Sequence, residues 1–192
     1  MFADLRGWTA FSVTTEPEEV MGVIREFHTA MGNLILQFEA TVGWFAGDGL
    51  MVWFNDPIPC PDPAARAVRM AVAMRGAMVG LTSKWRRRGH ELDFSVGIAL
   101  GYATLGQIGF DGRYDYGAVG SVMNLASRLC DEAGSGQILV NDRALAEVEP
   151  LVHAEPAGDL TLKGFVKPMS AFRILDLQAD ASRVDPGRST PT

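Results

Sequence analysis

The sequence predicts an α+β domain: a mostly antiparallel sheet on a βαββαβ order, with helices on one face and an added C-terminal β-hairpin. Three observations predict it. Val20, Val23, Ile24, Phe27, Met31, Leu34, Ile35 and Phe38 recur at the helical period. The apolar stretch VGWFAGDGLMVWF, residues 42–54, breaks only at Gly47-Asp48-Gly49, as two strands joined by a tight turn do. A second helical pattern follows, carrying Val68, Ala71, Val72, Met78, Leu81 and Trp85 and stopping near Gly89.

The other elements fall around these three. Residues 1–6 read as a short strand, shorter at its start than a central strand usually is, and RGWTAFS after it as a loop. Thr15 and Glu18 have the spacing of a capping box ahead of the first helix. The hairpin strands lie near 41–46 and 50–54. In the proline-rich NDPIPCPDP, Asp62 is placed as N-cap and Pro63 in the first turn of the second helix. LDFSVGIALGYATLGQIG reads as two strands joined around Gly101, and DYGAVGSVMNLASRLCDEA as a strand, a glycine turn and a third helix. GQILVN is a strand, DRALAEV a short helix, and GDLTLKGFVKPMSAFRIL the closing hairpin. This order is that of a ferredoxin-like core with additions. Residues 178–192 are polar, contain Pro186, Gly187 and Pro191, and read as a flexible tail.

Composition narrows the function classes. The 192 residues are 47% hydrophobic and 21% charged, the profile of one globular domain. The net charge of −6 argues against nonspecific binding to nucleic acid or an anionic membrane. The basic run Lys84-Trp85-Arg86-Arg87-Arg88 suits the C-terminus of a helix. Two cysteines, Cys60 and Cys130, suggest neither a metal cluster nor a disulfide framework and fit a reducing cytoplasm. No apolar run reaches the roughly 18 residues of a membrane span, and no signal peptide is visible.

Three groups of residues carry chemistry. Asp4 and Asp48 both end strands and both precede glycine-containing turns. In a βαββ arrangement they converge on one edge of the sheet and, with substrate phosphates, supply the hard oxygens that Mg²⁺ prefers. Alternatively each caps its own turn. Asn124 and Arg128 are four apart on the third helix and share a face, with Leu125, Ala126 and Leu129 turned to the core. An amide beside a guanidinium suits charge on a transferring phosphoryl group, and is otherwise an ordinary solvated pair. Lys163, before a glycine in the closing hairpin, either reaches an anionic ligand or is simply exposed.

Taken in order, FADLRGWTAF, GDGLMVWF, VGSVMNLASRL and LTLKGF resemble the class III nucleotidyl cyclase catalytic domain, adenylate and guanylate, of bacterial type. The resemblance covers residues 2–176 and marks 1–177 as that domain. FNDPIPCPDPAARAVRMAVAMR is also similar to bacterial members, which often carry an upstream sensor or regulatory domain; a fusion of that kind would account for a clipped first strand. The resemblance implies a homodimer with active sites at the subunit interface. It implies two Mg²⁺ or Mn²⁺ ions per site on Asp4, Asp48 and the carbonyl of Leu5. It implies a triphosphate held by the amides of Gly7, Trp8 and Thr9 and by Lys163. Asn124 and Arg128, from the partner subunit, would hold the ribose and the α-phosphate. The implied reaction is attack of the ribose 3′-oxygen on the α-phosphorus, giving a 3′,5′-cyclic nucleotide and pyrophosphate, with ATP the first expectation as substrate.

The chain departs from the family at the base-reading positions. Adenine-specific members carry Lys where this chain has Trp44, and Asp or Thr where it has Gly117; the Asp often found after the next glycine is Ser121. An indole offers one donor and glycine offers no side chain. Trp44 either packs in its strand or stacks on a base. Three readings follow: an adenylate cyclase with a poor base pocket, a cyclase of relaxed or different base selectivity, and an inactive dimerising or regulatory module. A diguanylate cyclase would need an acidic, glycine-rich hairpin turn that FAGDGL lacks.

Overall fold

The computed structural model describes residues 1–179; the polar segment read as a tail lies, beyond Ala179, outside the described residues. A seven-stranded sheet runs β2-β3-β1-β4-β7-β9-β8. Its first four members are β1 (Phe2–Arg6), β2 (Thr41–Ala46), β3 (Gly49–Trp53) and β4 (Asp93–Ile98). The order β2-β3-β1-β4, antiparallel throughout, is the expected ferredoxin-like core. β7 (Ile138–Asn141) joins parallel to β4, and the closing hairpin β8 (Val152–Leu160) and β9 (Met169–Leu177) extends the sheet.

The long helices are α2 (Pro17–Gln37) and α3 (Pro63–Arg87). On α2 the fully buried positions are Val23, Phe27, Met31 and Ile35, one every four residues, so a single stripe meets the sheet. On α3 Ala64, Ala67, Val68, Ala71, Met74, Met78 and Trp85 do the same. Both stripes pack on Phe94, Val96 and Ile98 of β4 and on Ala3 and Leu5 of β1. The short α5 (Asp142–Val148) adds Ala144 and Val148 to this core. The basic run at the end of α3 is partly tied down. Glu26 of α2 accepts from Lys84 (2.9 Å), from the indole N–H of buried Trp85 (2.8 Å) and from Arg88 (3.3 Å).

Several local expectations are corrected. The stretch after β1 is a seven-residue helix, α1 (Trp8–Thr14), and not a loop. The capping box at Thr15 is absent: Glu16 is the N-cap of α2, without a side-chain cap, and Pro17 opens the helix. Asp62 and Pro63 do begin α3, but the Asp62 carboxylate turns to Arg69 (3.0 Å) instead of capping. The strands on either side of Gly101 do not share a sheet. β5 (Thr104–Phe110) pairs only with β6 (Arg113–Val119), as a separate two-stranded hairpin.

Helices also occupy both faces, where one was expected. α4 (Ser121–Glu132) crosses the side opposite α2 and α3 and buries Leu125 and Leu129 against Leu139, Leu162 and Ala171. Alternation along β4 makes this explicit: Ser95 and Gly97 face α4, while Phe94, Val96 and Ile98 face the long helices. A Cβ on Gly97 would lie 2.1 Å from the Ala126 carbonyl oxygen and 2.2 Å from the Cys130 nitrogen. The glycine is what lets α4 lie this close. Gly97→Ala is therefore expected to push α4 outward and to lower stability by about 1–3 kcal/mol, read as a fall in the midpoint of urea unfolding with an unchanged slope.

Candidate active site

β1 runs between β3 and β4, with Phe2 opposite both Met51 and Gly97. The register carries Asp4 to Gly49 at the start of β3, beside the two-residue turn that joins β2 to β3 and contains Asp48. The two carboxyls face each other. Burial pushes the Asp48 pKa from 3.8 up to about 7; its hydrogen bond to Asp4 and the negative charge there push in the same direction. The main-chain N–H groups of Asp48 and Leu5 favour the carboxylate and only partly oppose this. Among the described residues no Lys or Arg forms an ion pair with either carboxyl. Two like charges held together without a protein cation would suit a divalent cation as counter-charge, and Asp4, Asp48 and the carbonyl of Leu5 are the oxygens that would hold it. No third His, Cys, Asp or Glu joins them into a closed metal cage among the described residues, so the remaining ligands would have to come from substrate and water.

The turn after β1 positions the next group. Gly7 stands at φ +82°, and a Cβ there would lie 2.7 Å from the Glu91 carbonyl oxygen, so this position needs glycine on both counts. It is the N-cap of α1, and the amides of Trp8 and Thr9 lie in a first turn that offers them no intrahelical acceptor. An aromatic stack secures that turn: Trp8 lies on Phe11 at 5.3 Å, Phe11 meets the ring of His90 at 4.8 Å, and His90 Nε2 is 2.9 Å from Glu19.

His28, which periodicity along α2 does not single out, holds the other side of the site. Its Nε2 lies 2.9 Å from the Gly47 carbonyl oxygen, and its ring stacks on Phe45 at 4.7 Å. Since a carbonyl only accepts, Nε2 carries the proton. The contact fixes the residue next to Asp48. A histidine on the rim of an apolar stripe gives no sequence signal for this, because its partner comes from a distant turn.

The other predicted residues lie apart from the carboxyl pair. Asn124 is exposed, and Arg128 on the same helix pairs with Asp131 at 2.8 Å. Lys163 is exposed in the turn between β8 and β9, beside Leu162, which is anchored under α4. Trp44 keeps 44% of its surface exposed and meets Phe2 edge-on at 6.2 Å, two residues before Asp4 on β1. Gly117 sits in β6, where a Cβ would meet the end of the Ile108 side chain at 2.7 Å. Within one chain, then, the structure joins Asp4 and Asp48 and leaves Asn124 and Arg128 unconnected to them.

The model of the adenylate and guanylate cyclase catalytic domain matches residues 1–176. The chain belongs to that family. Its fold superposes on the crystal structure of the adenylyl cyclase CyaB from P. aeruginosa with a TM-score of 0.89 and 33% identity, covering 93% of each chain. On the guanylyl cyclase Cya2 the TM-score is 0.85 at 30% identity, covering 93% of this chain and 91% of that one. Adenylate cyclase 1 of Rhizobium meliloti is 25% identical over 190 residues, 97% of this chain. The chain spans 29% of the length of that relative. Both cysteines are free, and no helix among the described residues is long and apolar enough to cross a membrane.

Because folding raises the Asp48 pKa, the metal-free domain takes up a proton between about pH 4 and 7. This carboxyl's contribution to stability therefore falls as pH rises through that window. Asp48→Asn is expected to raise the melting temperature of the metal-free domain at pH 8 by a few degrees. Mn²⁺ is expected to raise that of the wild type and to leave the variant unmoved. Differential scanning calorimetry with and without the ion, at pH 5 and pH 8, checks both.

Proposed function

We propose that this domain is a nucleotide cyclase, converting a nucleoside triphosphate, ATP first, to a 3′,5′-cyclic nucleotide and pyrophosphate at a homodimer interface. The observation that carries the reading is the facing Asp4–Asp48 pair, held by neighbouring elements of one rigid sheet and, among the described residues, without an ion pair to any Lys or Arg. Two bound Mg²⁺ or Mn²⁺ ions would supply the charge that activates the ribose 3′-hydroxyl and stabilises the departing pyrophosphate.

The protein's own groups then bind and orient. The amides of Gly7, Trp8 and Thr9 would hold the triphosphate at the start of α1, and Lys163 would add a charge from the β8–β9 turn. Asn124 would orient the ribose, and Arg128 would meet charge growing on the α-phosphate. In one chain these two do not contact the carboxyl pair, so the reading places them in the site of the partner subunit. Little covalent work is left to the protein; positioning and charge account for the chemistry.

The exposure of the Trp44 ring beside Phe2 favours relaxed base selectivity. Stacking tolerates any base, at roughly 1–3 kcal/mol each, whereas hydrogen-bond readout penalises the wrong one. The structural relatives include both adenylyl and guanylyl cyclases, so their names leave the base open.

Neither Asp48→Ala nor Arg128→Ala alone is expected to turn over ATP with Mn²⁺, and a mixture of the two, after subunit exchange, is expected to regain activity. Two dead variants that stay dead when mixed, with exchange shown by mass spectrometry, would overturn the shared site.

For the base, kcat/KM is expected to differ by less than about tenfold among ATP, GTP, CTP and UTP. Trp44→Lys with Gly117→Thr is expected to sharpen the preference for ATP. A wild type already strongly selective for ATP would return Trp44 to a packing role.

A further inference from the structure

Arg6 follows the two metal-binding candidates of β1, Asp4 and Leu5, and is the nearest cation in sequence to the carboxyl pair. It nevertheless forms no ion pair with Asp4 or Asp48. Its Nη2 donates instead to the main-chain oxygens at the end of α4: Cys130 at 3.2 Å, Asp131 and Ala133. Among the described residues its Nε is buried without an acceptor, and the hydrogen bonds of this side chain run to the last residues of α4 and its C-cap, Ala133. The last carbonyls of a helix lack intrahelical partners, and a cation there also meets the negative end of the helix dipole.

Asp131 is therefore held twice. Its main-chain oxygen accepts from Arg6, and its carboxylate accepts from Arg128 Nη1 at 2.8 Å. A direct path runs from β1 through Arg6 and Asp131 to the guanidinium of Arg128. We propose that Arg6 is a positioning residue for Arg128: it clamps the end of α4 so that Asp131 presents Arg128 at a defined height above the sheet. This rests on the shared-site reading above, under which the Arg128 of one chain serves the carboxyl pair of the other. Arg6 then lies in sequence beside one active site and acts on the second.

Mixed dimers test that crossed assignment. Arg6→Gln alone is expected to lower kcat by roughly ten- to a hundredfold with little change in KM, because a misplaced Arg128 affects the transition state more than triphosphate binding. Mixed with Asp48→Ala, Arg6→Gln chains are expected to regain activity to the level of the Asp48→Ala plus Arg128→Ala control. One site then combines an intact carboxyl pair with a correctly clamped α4. Mixed with Arg128→Ala, they are expected to stay at the Arg6→Gln level.

Hydrogen exchange gives a second reading: the amide of Ala133 is expected to exchange faster in Arg6→Gln while those of β1 stay protected. Arg6→Lys, which keeps the charge and a donor, is expected to recover part of kcat, and replaces the Gln variant in the mixtures should that chain not fold. The reversed mixing pattern, or equal behaviour of both mixtures, overturns the assignment of Arg6 while a working control leaves the shared site standing. A control that fails to regain activity overturns the shared site, and this assignment with it.

Discussion

Two carboxylates brought face to face repel each other, and the domain has to supply the rigidity that keeps them there. Asp4 sits in the middle of β1, where the sequence suggests a strand end, and that strand is hydrogen-bonded on both sides, to β3 and to β4. Asp48 sits in a two-residue turn whose strands are paired up to its edges. His28 grips the turn from α2 at Gly47, and the Leu5 N–H reaches across to the Asp48 carboxyl. Neither main chain can move away without breaking a strand ladder or the His28–Gly47 contact. Burial first, and then the hydrogen bond to Asp4 and the negative charge there, push the Asp48 pKa up to about 7, so that the pair takes up a proton. Under the proposed function, the same rigidity would present the pair to divalent cations without further ordering.

That constraint explains the division of the molecule into two faces. α2 and α3 brace the sheet from one side with large apolar side chains and with the Glu26 cluster that joins the middle of α2 to the basic end of α3. On the other face α4 crosses on a small footprint: Gly97 beneath it, Ser95 against Cys130, and Arg6 at its end. The Cys130 thiol, buried there, has its pKa pushed up to about 12. It stays a neutral packing group and not a nucleophile. α4 is thus fastened to the sheet through its C-terminal half, while Asn124, nearer its start, is free to face outward.

Much of this was legible in the sequence, because long patterns average over local exceptions. The stripe on α2 and the hairpin around Asp48 follow from periodicity alone, and the meeting of Asp4 and Asp48 follows once the strand order is known. The misses have local causes. α1 begins at a left-handed glycine with no side-chain cap, so none of the usual start signals is present at Gly7. The separation of β5 from β4 depends on where the chain turns after Ile98, and alternation does not encode that. α4 was placed with the other helices because its apolar stripe specifies a buried face without saying which side of the sheet buries it. The ties made by Arg6 and His28 are long-range bonds to main-chain oxygens. Any residue supplies such an oxygen, so no sequence pattern marks the partner.

The base-reading positions follow a different rule from the rest of the site. Asp4, Asp48, Gly7 and the end of α4 are over-determined: each is held by register, by close approach or by several hydrogen bonds. Trp44 has one edge-on contact to Phe2 across an irregular stretch of β2, where the register with β3 shifts between Val42 and Trp44. Gly117 is limited only by the end of a flexible isoleucine side chain. A change at either position alters little of what fixes the carboxyl pair. Under the proposed function, the fold would separate the groups for phosphoryl chemistry, which are tightly held, from those that choose the base, which can change at small structural cost. An aromatic ring in place of a charged reader is what such a loosely constrained position can accept, since stacking requires a flat surface and not an aligned set of donors.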